Sequence, residues 1–278
     1  SITVSCFGGS NGKAPVIPSG GISPFTYSWS PSGGTNATAI NLSAGSYTSV
    51  VTDNIGCIVI NTVAITQPPV LNVSISPFTN VSCYGGYDGE VTVSASGGTP
   101  SYNYSWSPVG GVSATVTGLP AGAYTVVVAD TNGCTKSSSI NITQPAAALT
   151  VSINKNNISC TGGNNGSATA IGSGGTTSYS YSWSNAANTQ TINNLTQGSY
   201  TVTITDSKGC SATASVSITE PAVLNVIISG TTSVACFGGN DGIATTSASG
   251  GTPPYAYLWS GGAGTNSTAA GLPAGTYT

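Results

Sequence analysis

The stretch that decides the fold runs from Leu119 to Cys134 and reads LPAGAYTVVVADTNGC. It predicts a tight turn, a strand that begins at the tyrosine, a second turn at Asp-x-x-Gly, and a cysteine that opens the next strand. Complete copies occupy residues 42–57 and 195–210, and residues 272–278 form a fourth copy that stops just after its tyrosine. The chain therefore repeats one β-rich module.

Two residue types measure the period of the repeat. The four tryptophans are spaced by 77, 77 and 76 residues, and one set of four cysteines has the same three spacings. Solenoid coils have periods of about 20–50 residues, so a period near 77 indicates a small independent domain instead. The two sets are Trp29, Trp106, Trp183 and Trp259, and Cys6, Cys83, Cys160 and Cys236.

Prolines mark the ends of the repeats, and only a few residues separate each proline from the next apolar run. Flexible linkers are longer and richer in Gly and Ser, so these short junctions predict limited bending between repeats. The prolines are Pro68, Pro145 and Pro221. The predicted domains are repeat 1 (1–69, truncated at its N-terminus), repeat 2 (70–146), repeat 3 (147–222) and repeat 4 (223–278, truncated at its C-terminus).

Apolar alternation and turn-forming residues predict six strands in repeat 2, and no segment has a helical period. Many short strands in about 77 residues are typical of an immunoglobulin-like sandwich. We therefore expect an all-β chain of tandem immunoglobulin-like β-sandwich modules that form an extended rod. The strands are predicted at about 71–76, 90–95, 102–107, 112–117, 123–129 and 135–142.

Aromatic residues supply the predicted core. In the strand 200–205, Tyr200 shares one face with a valine and an isoleucine, while three threonines occupy the other face. Each buried aromatic side chain removes about 150–250 Å² from water, which matters greatly in a small domain. The predicted core residues are Trp29, Trp106, Trp183, Trp259, Tyr47, Tyr124, Tyr200 and Tyr277.

The cysteines predict disulfides. Within a repeat the two cysteines are separated by 51, 51 and 50 residues, and the chain has no His and no Cys-x-x-Cys that would favour zinc. A bond that closes a loop of this length would contribute about 4 kcal/mol and would imply an oxidising compartment. The expected pairs are Cys6–Cys57, Cys83–Cys134 and Cys160–Cys210, with Cys236 bonded to a cysteine beyond the end of this sequence.

Composition argues against several functions. Charged residues are only 4% of the chain, the net charge is −3, and there is no Arg, so we expect no nucleic-acid partner. No apolar run is long enough to predict a membrane span. Glu90 and Glu220 recur in no other repeat and the lysines occupy unrelated positions, so we expect no catalytic residues, no cofactor and no enzyme.

Acidic residues in the turns are weak candidates for calcium. Asp53, Asp130 and Asp206 hold one position in the three complete hairpins, and calcium prefers several oxygen ligands. The favoured interpretation is an aspartate that caps its own turn. A second position alternates between Asn and Asp before Gly, as a turn with positive φ would allow; its residues are Asn11, Asp88, Asn165 and Asp241.

Aromatic residues in loops are candidates for sugar contacts, because tyrosine presents a flat apolar face with a polar edge. Tyr84 and Tyr87 lie in one loop of repeat 2, and Phe7 and Phe237 lie in the corresponding loops of repeats 1 and 4. Repeat 3 has Thr161 at the position of Tyr84, so the set is not uniform.

Several motifs occur together and in order, and together they resemble the SprB repeat. They are Cys-x-Gly-Gly-x-x-Gly (83–89), Ser-Gly-Gly-x-x-x-Tyr-x-Tyr-x-Trp-Ser (96–107), Gly-x-Tyr-Thr-Val (122–126), Asp-x-x-Gly-Cys (130–134) and Ile-Thr-Gln-Pro (142–145). Repeat 3 departs slightly, with Thr177-Ser178 in place of a Pro-containing turn and one residue fewer before Cys210. The strand Tyr-Thr-Val-x-Val-x-Asp also resembles PKD-like modules.

The resemblance implies a very large cell-surface protein of Bacteroidota, similar to the gliding-motility adhesin, exported by the type IX system and carrying no catalytic residues. Our leading hypothesis is an extracellular stalk of such an adhesin, whose partners are the neighbouring repeats of its own chain. Two alternatives stay open: an array that binds surface polysaccharide, and a fibre that assembles from like chains.

Overall fold

The computed structural model describes residues 2–278 and is all-β apart from one short 3₁₀ turn at Ser260–Gly262. The chain divides into two compact units, Ser1–Gln144 and Pro145–Thr278, which hold repeats 1 and 2 and repeats 3 and 4 respectively. In residues 2–278, no helix has the length and apolar character needed to cross a membrane.

The first unit contains eleven strands. Repeat 2 forms two three-stranded antiparallel sheets, ordered β6-β7-β9 and β8-β10-β11, and repeat 1 forms the sheets β1-β3 and β2-β4-β5. The strands are β1 (Gly12–Pro15), β2 (Thr26–Ser30), β3 (Thr38–Leu42), β4 (Gly45–Thr52), β5 (Ile58–Ile65), β6 (Asn72–Thr79), β7 (Gly89–Ser96), β8 (Tyr102–Ser107), β9 (Thr115–Leu119), β10 (Gly122–Asp130) and β11 (Thr135–Ile142).

The second unit follows the same plan. Repeat 3 has the sheets β12-β13-β15 and β14-β16-β17, and repeat 4 has the sheet β18-β19-β20. The strands are β12 (Thr150–Asn156), β13 (Gly166–Ser173), β14 (Tyr179–Trp183), β15 (Thr191–Leu195), β16 (Gly198–Asp206), β17 (Ser211–Ile218), β18 (Asn225–Thr232), β19 (Gly242–Ser249) and β20 (Thr268–Leu272).

Five of the six strands predicted in repeat 2 lie close to their expected positions. The strand expected at 112–117 begins later, because backbone carbonyls in the segment before it accept hydrogen bonds from Trp106 instead of pairing with a strand. The backbone N–H of Trp106 donates to the carbonyl of Gly111 (3.1 Å), and its indole Nε1–H donates to the carbonyl of Ser113 (2.9 Å). The strand β9 therefore starts at Thr115, where pairing with β7 begins.

In repeats 1 to 3, the core lies between the two sheets of each repeat. In repeat 2, Trp106, Val126 and Val128 are buried, and the alternating residues of β10 point to solvent or the rim. The four tryptophans, one in each repeat, are all buried, with exposed fractions between 3% and 8%. Each indole N–H donates to a loop carbonyl six or seven residues ahead, so this buried polar group is satisfied.

In each repeat, a tyrosine closes the turn that lies just before it in the sequence. The hydroxyl of Tyr124 donates to the carbonyl of Pro120, four residues earlier, at 2.8 Å. Tyr47 and Tyr124 are buried, and Tyr200 and Tyr277 are half-buried. The contact matches the tyrosine corner of immunoglobulin-like sandwiches. The equivalent hydroxyls of Tyr47, Tyr200 and Tyr277 donate to the carbonyls of Ser43, Thr196 and Pro273.

Candidate functional site: cysteine loops at the repeat junction

Two loops recur in the repeats and carry the cysteines. The cysteine turn is 130–134 in repeat 2 and joins β10 to β11; its equivalents are 53–57 and 206–210. The glycine loop is 83–86 in repeat 2 and precedes β7; its equivalents are 6–9, 160–163 and 236–239. In each glycine loop the second glycine donates its N–H to the cysteine carbonyl, as Gly86 does to Cys83 at 2.9 Å.

Asp130 builds the cysteine turn. Its Oδ1 accepts hydrogen bonds from the backbone N–H groups of Asn132 and Cys134, each at 2.9 Å. Its Oδ2 accepts one from the backbone N–H of Thr99 at 2.8 Å. Since Thr99 lies between β7 and β8, a single carboxylate shapes its own turn and ties it to a second turn at the same end of the sandwich.

The second turn needs a glycine beside this carboxylate. Gly98 has φ +58°, and a Cβ at this position would lie 2.6 Å from Oδ2 of Asp130. A side chain would therefore both strain the backbone and displace the carboxylate. Gly175 repeats the arrangement beside Asp206, where the Cβ would lie 2.5 Å from the carboxylate oxygen.

The hydrogen bonds explain the charge state of Asp130. Burial raises its pKa, but the backbone N–H groups of Thr99, Cys134 and Asn132 outweigh this effect and hold the pKa below its ordinary value. The pKa values of Asp53 and Asp206 are lowered as well. The carboxylate is thus an anion that its own backbone neutralises.

This geometry supports the capping role of Asp53, Asp130 and Asp206 over calcium binding. Calcium takes about 6–8 oxygen ligands, whereas both oxygens of each carboxylate already accept backbone N–H groups. Within residues 2–278, no group of three or more His, Cys, Asp or Glu side chains is placed to share a metal ion.

A glutamine holds the glycine loop, and the sequence analysis missed its role. The Oε1 of Gln144 accepts the backbone N–H of Gly85 at 2.7 Å, and Gln67 holds Gly8 at the same distance. In repeat 3, Glu220 replaces the glutamine and its Oε2 accepts from Gly162, again at 2.7 Å. The sequence did contain a sign of this contact, because a residue with a side-chain oxygen acceptor lies directly before each proline that ends a repeat. We interpreted those prolines only as markers of the repeat boundaries.

A second acceptor fixes the entry to the glycine loop. The Oδ1 of Asp88 accepts the backbone N–H of Ser82 at 3.0 Å, and that of Asn11 accepts Ser5 at 2.9 Å. These residues do not have positive φ, so our expected reason for the exchange of Asn and Asp was wrong. The position accepts either residue because both offer the same Oδ1 acceptor. Asn165 and Asp241 make the corresponding bonds to Ser159 and Ala235.

The disulfide connects two repeats, which corrects the predicted pairing. Cys6 of repeat 1 is bonded to Cys134 of repeat 2, with their Cα atoms 5.7 Å apart. The predicted pairs Cys6–Cys57 and Cys83–Cys134 are therefore wrong. Cys83 and Cys210 are also disulfide-bonded, whereas Cys160 is a free thiol, so Cys160–Cys210 is wrong too. Cys57 and Cys236 are free and exposed, and a partner for Cys236 beyond this sequence stays a prediction.

The length of a strand explains why cysteines of one repeat do not meet. Cys134 directly precedes β11, and Gln144, which holds the loop of Cys83, follows the end of β11 two residues later. Eight residues of β-strand span about 27 Å, while bonded cysteines have Cα atoms no more than about 7 Å apart. The two cysteines therefore occupy opposite ends of their sandwich, and only a neighbouring repeat brings a partner within reach.

Hydrogen bonds accompany the disulfide at the junction of repeats 1 and 2. The Nδ2 of Asn132 donates to the carbonyl of Ser5 and to the hydroxyl of Thr99, each at 3.0 Å. The backbone N–H of Gly98 donates to the carbonyl of Pro69 at 2.9 Å, which holds the linker against repeat 2. The junction is thus fixed at three points, one of them covalent.

The loop aromatics are exposed but uneven. The side chains of Tyr84, Tyr87 and Phe7 are between 53% and 70% exposed, and Phe237 is fully exposed. In repeat 3 the equivalent Thr161 instead donates its hydroxyl to the carbonyl of Pro221 at 2.8 Å. The structure therefore places an apolar contact surface on some glycine loops and not on others.

The motifs, the loops and the sandwich plan agree with one family model. The SprB repeat matches four segments, which together cover about half of the chain: residues 4–34, 75–111, 152–188 and 228–264. This chain belongs to the SprB repeat family. The last three matches begin 77 and 76 residues apart, in step with the tryptophans. No curated protein matches the chain.

Solved structures similar to this SprB chain are tandem-domain proteins. Three N-terminal domains of the bacteriophage RB49 Hoc protein are 17% identical, covering 79% of this chain and 99% of that one (TM-score 0.38). A tetra-tandem repeat from the extending region of a large adhesion protein is 16% identical, covering 87% and 74% (TM-score 0.25). The eight N-terminal immunoglobulin domains of the Down syndrome cell adhesion molecule are 13% identical, covering 93% and 52% (TM-score 0.26). TM-scores this low carry no argument about function.

The family and the disulfides together define the setting of the chain. SprB repeats occur in adhesin-like proteins, and disulfides persist in oxidising compartments. The chain is therefore an adhesin-like repeat region with an extracellular location.

Proposed function

We propose that this chain is part of the structural stalk of a large cell-surface adhesin. The observation that carries the proposal is the junction of repeats 1 and 2, which the Cys6–Cys134 bond and the Asn132–Ser5 hydrogen bond fix in place. A stalk must transmit position and force from one repeat to the next, and a fixed junction does this where a flexible linker would not.

The construction of each repeat supports this role. Every repeat buries its own tryptophan, and repeats 1 to 3 cap their cysteine turns in the same way, so added repeats add length without new chemistry. The strand β10 has nine residues, which at about 3.4 Å each corresponds to about 30 Å of reach for one repeat. The nearly uncharged, hydroxyl-rich surface would make such a stalk insensitive to salt.

The same proposal covers the finer biological setting. We infer a non-enzymatic protein attached to the surface of a Bacteroidota cell, exported by the type IX system and acting in gliding motility. The family membership supports this setting. The partners within the stalk are the neighbouring repeats of the same chain.

Electron microscopy of the purified chain tests the stalk. We expect single thin particles with one bead for each repeat, and a C6S/C134S variant with a wider spread of angles between the beads of repeats 1 and 2. A C57S variant is the matched control, because it removes a cysteine that forms no bond within this chain. Ordered filaments built from many chains would overturn the stalk and make self-assembly the function.

Polysaccharide binding is the second candidate, favoured by the exposed Tyr84 and Tyr87 on one glycine loop. Such faces can stack on sugar rings, and repetition would add avidity. Affinity electrophoresis in gels that contain bacterial surface polysaccharide tests this function. A Y84A/Y87A variant should lose any retardation that the native chain shows, whereas Y124F, which alters a buried side chain, should keep it.

A further inference from the structure

We propose that the Cys6–Cys134 disulfide is a covalent bypass, which carries tension between repeats 1 and 2 and keeps the intervening strands out of the path of force. This inference deepens the proposed stalk and rests on it for its biological purpose. The bypass itself is a property of covalent connectivity, so it can be tested on the isolated chain.

The connectivity encloses nearly all of the first unit. The bonded cysteines are 128 residues apart in sequence, and strands β1 to β10 all lie between them. Tension that enters at Cys6 crosses directly to Cys134, because a covalent bond does not yield where hydrogen bonds would. Where no second bond leaves the loop, tension between the two ends of the chain cannot extend the enclosed strands while this disulfide is intact.

The one strand of the unit left outside, β11, is loaded along its own backbone. β11 begins at Thr135, directly after the bypass, and pairs with β10 in an unbroken register from Ala129↔Thr135 to Gly122↔Ile142. Tension between Cys134 and the far end of β11 runs along the backbone of β11 itself, because β10 lies inside the bypass and carries none of it. This strand is already extended, so the tension passes through it without breaking its hydrogen bonds to β10.

A bond within one repeat would protect much less. Cys6–Cys57 would enclose strands β1 to β4 only, and the whole of repeat 2 would remain in the path of force. The offset pairing joins the far end of one sandwich to the near end of the next. It thereby protects both repeats with one bond.

The free thiol of Cys57 is suited to a second bond between SprB repeats, which would load the strands between Cys57 and Cys134 instead of bypassing them. Cys57 has the local frame of Cys134, because the backbone N–H of each cysteine donates to Oδ1 of its turn aspartate at 2.9 Å. It is exposed, so the glycine-loop cysteine of another SprB repeat is its fitting partner. The free Cys160 and Cys236 occupy the glycine-loop position that Cys6 holds, so each is suited to bond the turn cysteine of another repeat.

Formation of each bond requires an oxidant. Two thiols lose two protons and two electrons to form the S–S bond, and a small-molecule disulfide such as oxidised glutathione accepts them and leaves as two thiols. The reverse exchange with a reducing thiol opens the bypass.

Cleavage before aspartate maps the bond in the full chain, because aspartates separate the relevant cysteines. Digestion gives one peptide with Cys6 (1–52), one with Cys57 and Cys83 (53–87) and one with Cys134 and Cys160 (130–205). We expect mass spectrometry without reductant to find 1–52 linked to 130–205, and reduction to separate them. A link from 1–52 to 53–87 would mean that Cys6 is bonded to Cys57 or Cys83 instead of Cys134, and it would overturn the proposal.

Single-molecule stretching measures the bypass. A C83S/C160S/C210S/C236S variant of the full chain, held by its termini, keeps Cys6 and both of its possible partners, Cys57 and Cys134. Reduction should then release the 128 enclosed residues, a gain in contour length of about 46 nm at about 3.6 Å per residue.

Two other results would overturn the bypass. A gain of roughly 18 nm would correspond to pairing of Cys6 with Cys57, and no gain at all would mean that the bond does not shield the strands. The matched control adds C6S to the same variant and should show no response to reductant. If stretching overturns the bypass, the stalk proposal is still decided by the particle shapes seen in electron microscopy. The two proposals can therefore fail separately.

Discussion

The cysteine turns of repeats 1 and 2 have nearly the same local structure, but only one of the two cysteines is disulfide-bonded. In both, the cysteine N–H donates to Oδ1 of the aspartate at 2.9 Å, and the aspartate N–H donates to the cysteine carbonyl at 3.0 Å. Yet Cys57 is an exposed thiol, while Cys134 is bonded to Cys6. The comparison teaches that the turn belongs to one repeat and the disulfide belongs to a pair of repeats.

The two turns also differ in how tightly they hold the neighbouring turn. The N–H of Thr99 lies 2.8 Å from Oδ2 of Asp130, whereas the N–H of Ile22 lies 3.2 Å from Oδ2 of Asp53. Asp130 is 3% exposed and Asp53 is half-buried. The turn of repeat 2, which contacts a preceding repeat, is therefore the more closely packed of the two.

The largest expected effect separates the two cysteines. A C6S/C134S variant should lose about 5 kcal/mol of stability in the first unit, because the unfolded chain regains the entropy of a 128-residue loop. A C57S variant should change stability by less than about 0.5 kcal/mol. Urea unfolding followed by tryptophan fluorescence measures both. Equal losses in the two variants would contradict the assignment of the bond to the pair of repeats.

The cores of repeats 1 and 2 should differ next. Trp106 → Ala should lower the free energy of unfolding by about 4 kcal/mol. The indole packs among Val91, Val126 and Val128, so its removal leaves a cavity. Trp29 → Ala should cost less, since that core has alanines such as Ala39 beside the indole. Thermal unfolding by calorimetry compares the two variants, with the native chain as reference. A larger loss for Trp29 → Ala would reverse this ranking of the cores.

Acid should expose the role of the capping aspartates. Their pKa values are lowered by folding, so the stability they contribute is present above the ordinary value of 3.8 and is lost as the pH falls through the lower folded pKa. The chain has no His, so we expect a flat stability profile between about pH 5 and 8.

Variants sharpen this pH comparison between the two turns. D130N should flatten the acid dependence more than D53N, because the carboxylate of Asp130 makes the shorter bond to its neighbouring turn. Urea midpoints recorded at intervals from about pH 6 down to pH 2 provide the measurement. An acid loss that both variants retain in full would show that other carboxylates cause it.

The smallest effect concerns the corner tyrosines. Tyr124 → Phe removes a buried hydrogen bond of 2.8 Å and should cost about 1 kcal/mol. Tyr47 → Phe removes a bond of 3.2 Å and should cost less. Double-variant cycles with the Trp → Ala change in the same repeat check whether the tyrosine acts independently of the core. Equal costs in the two repeats would mean that the distances carry no energetic difference.

Much of the fold followed from local pattern. The alternation around Tyr124 and the turn formers that flank β10 indicate strand, turn and buried face together, because a strand exposes its two faces at a period of two. The strand β9 was placed too early because its apolar pattern continued into a loop that serves Trp106. Hydrogen bonding to a side chain leaves no mark in hydrophobic periodicity.

The candidate site was predicted less well. The capping role of Asp130 followed from its position before a glycine, but the glutamine clamp of Gln144 was missed because its partner lies 59 residues away. The disulfide pairing was wrong because a spacing of 50 or 51 residues between cysteines recurs in repeats 1 to 3 although those cysteines do not meet. Spacing measures distance along the chain, and a disulfide requires distance in space.

By itself, the sequence determined the repeat, the sandwich, the buried tryptophans and the cap of each cysteine turn, because all of these arise from contacts within one repeat. Only the tertiary structure decided that Cys6 bonds Cys134. β11 separates the two ends of its repeat, and with them Cys83 and Cys134, by about 27 Å. The stacking of repeat 2 on repeat 1 instead brings the Cα atoms of Cys6 and Cys134 to 5.7 Å.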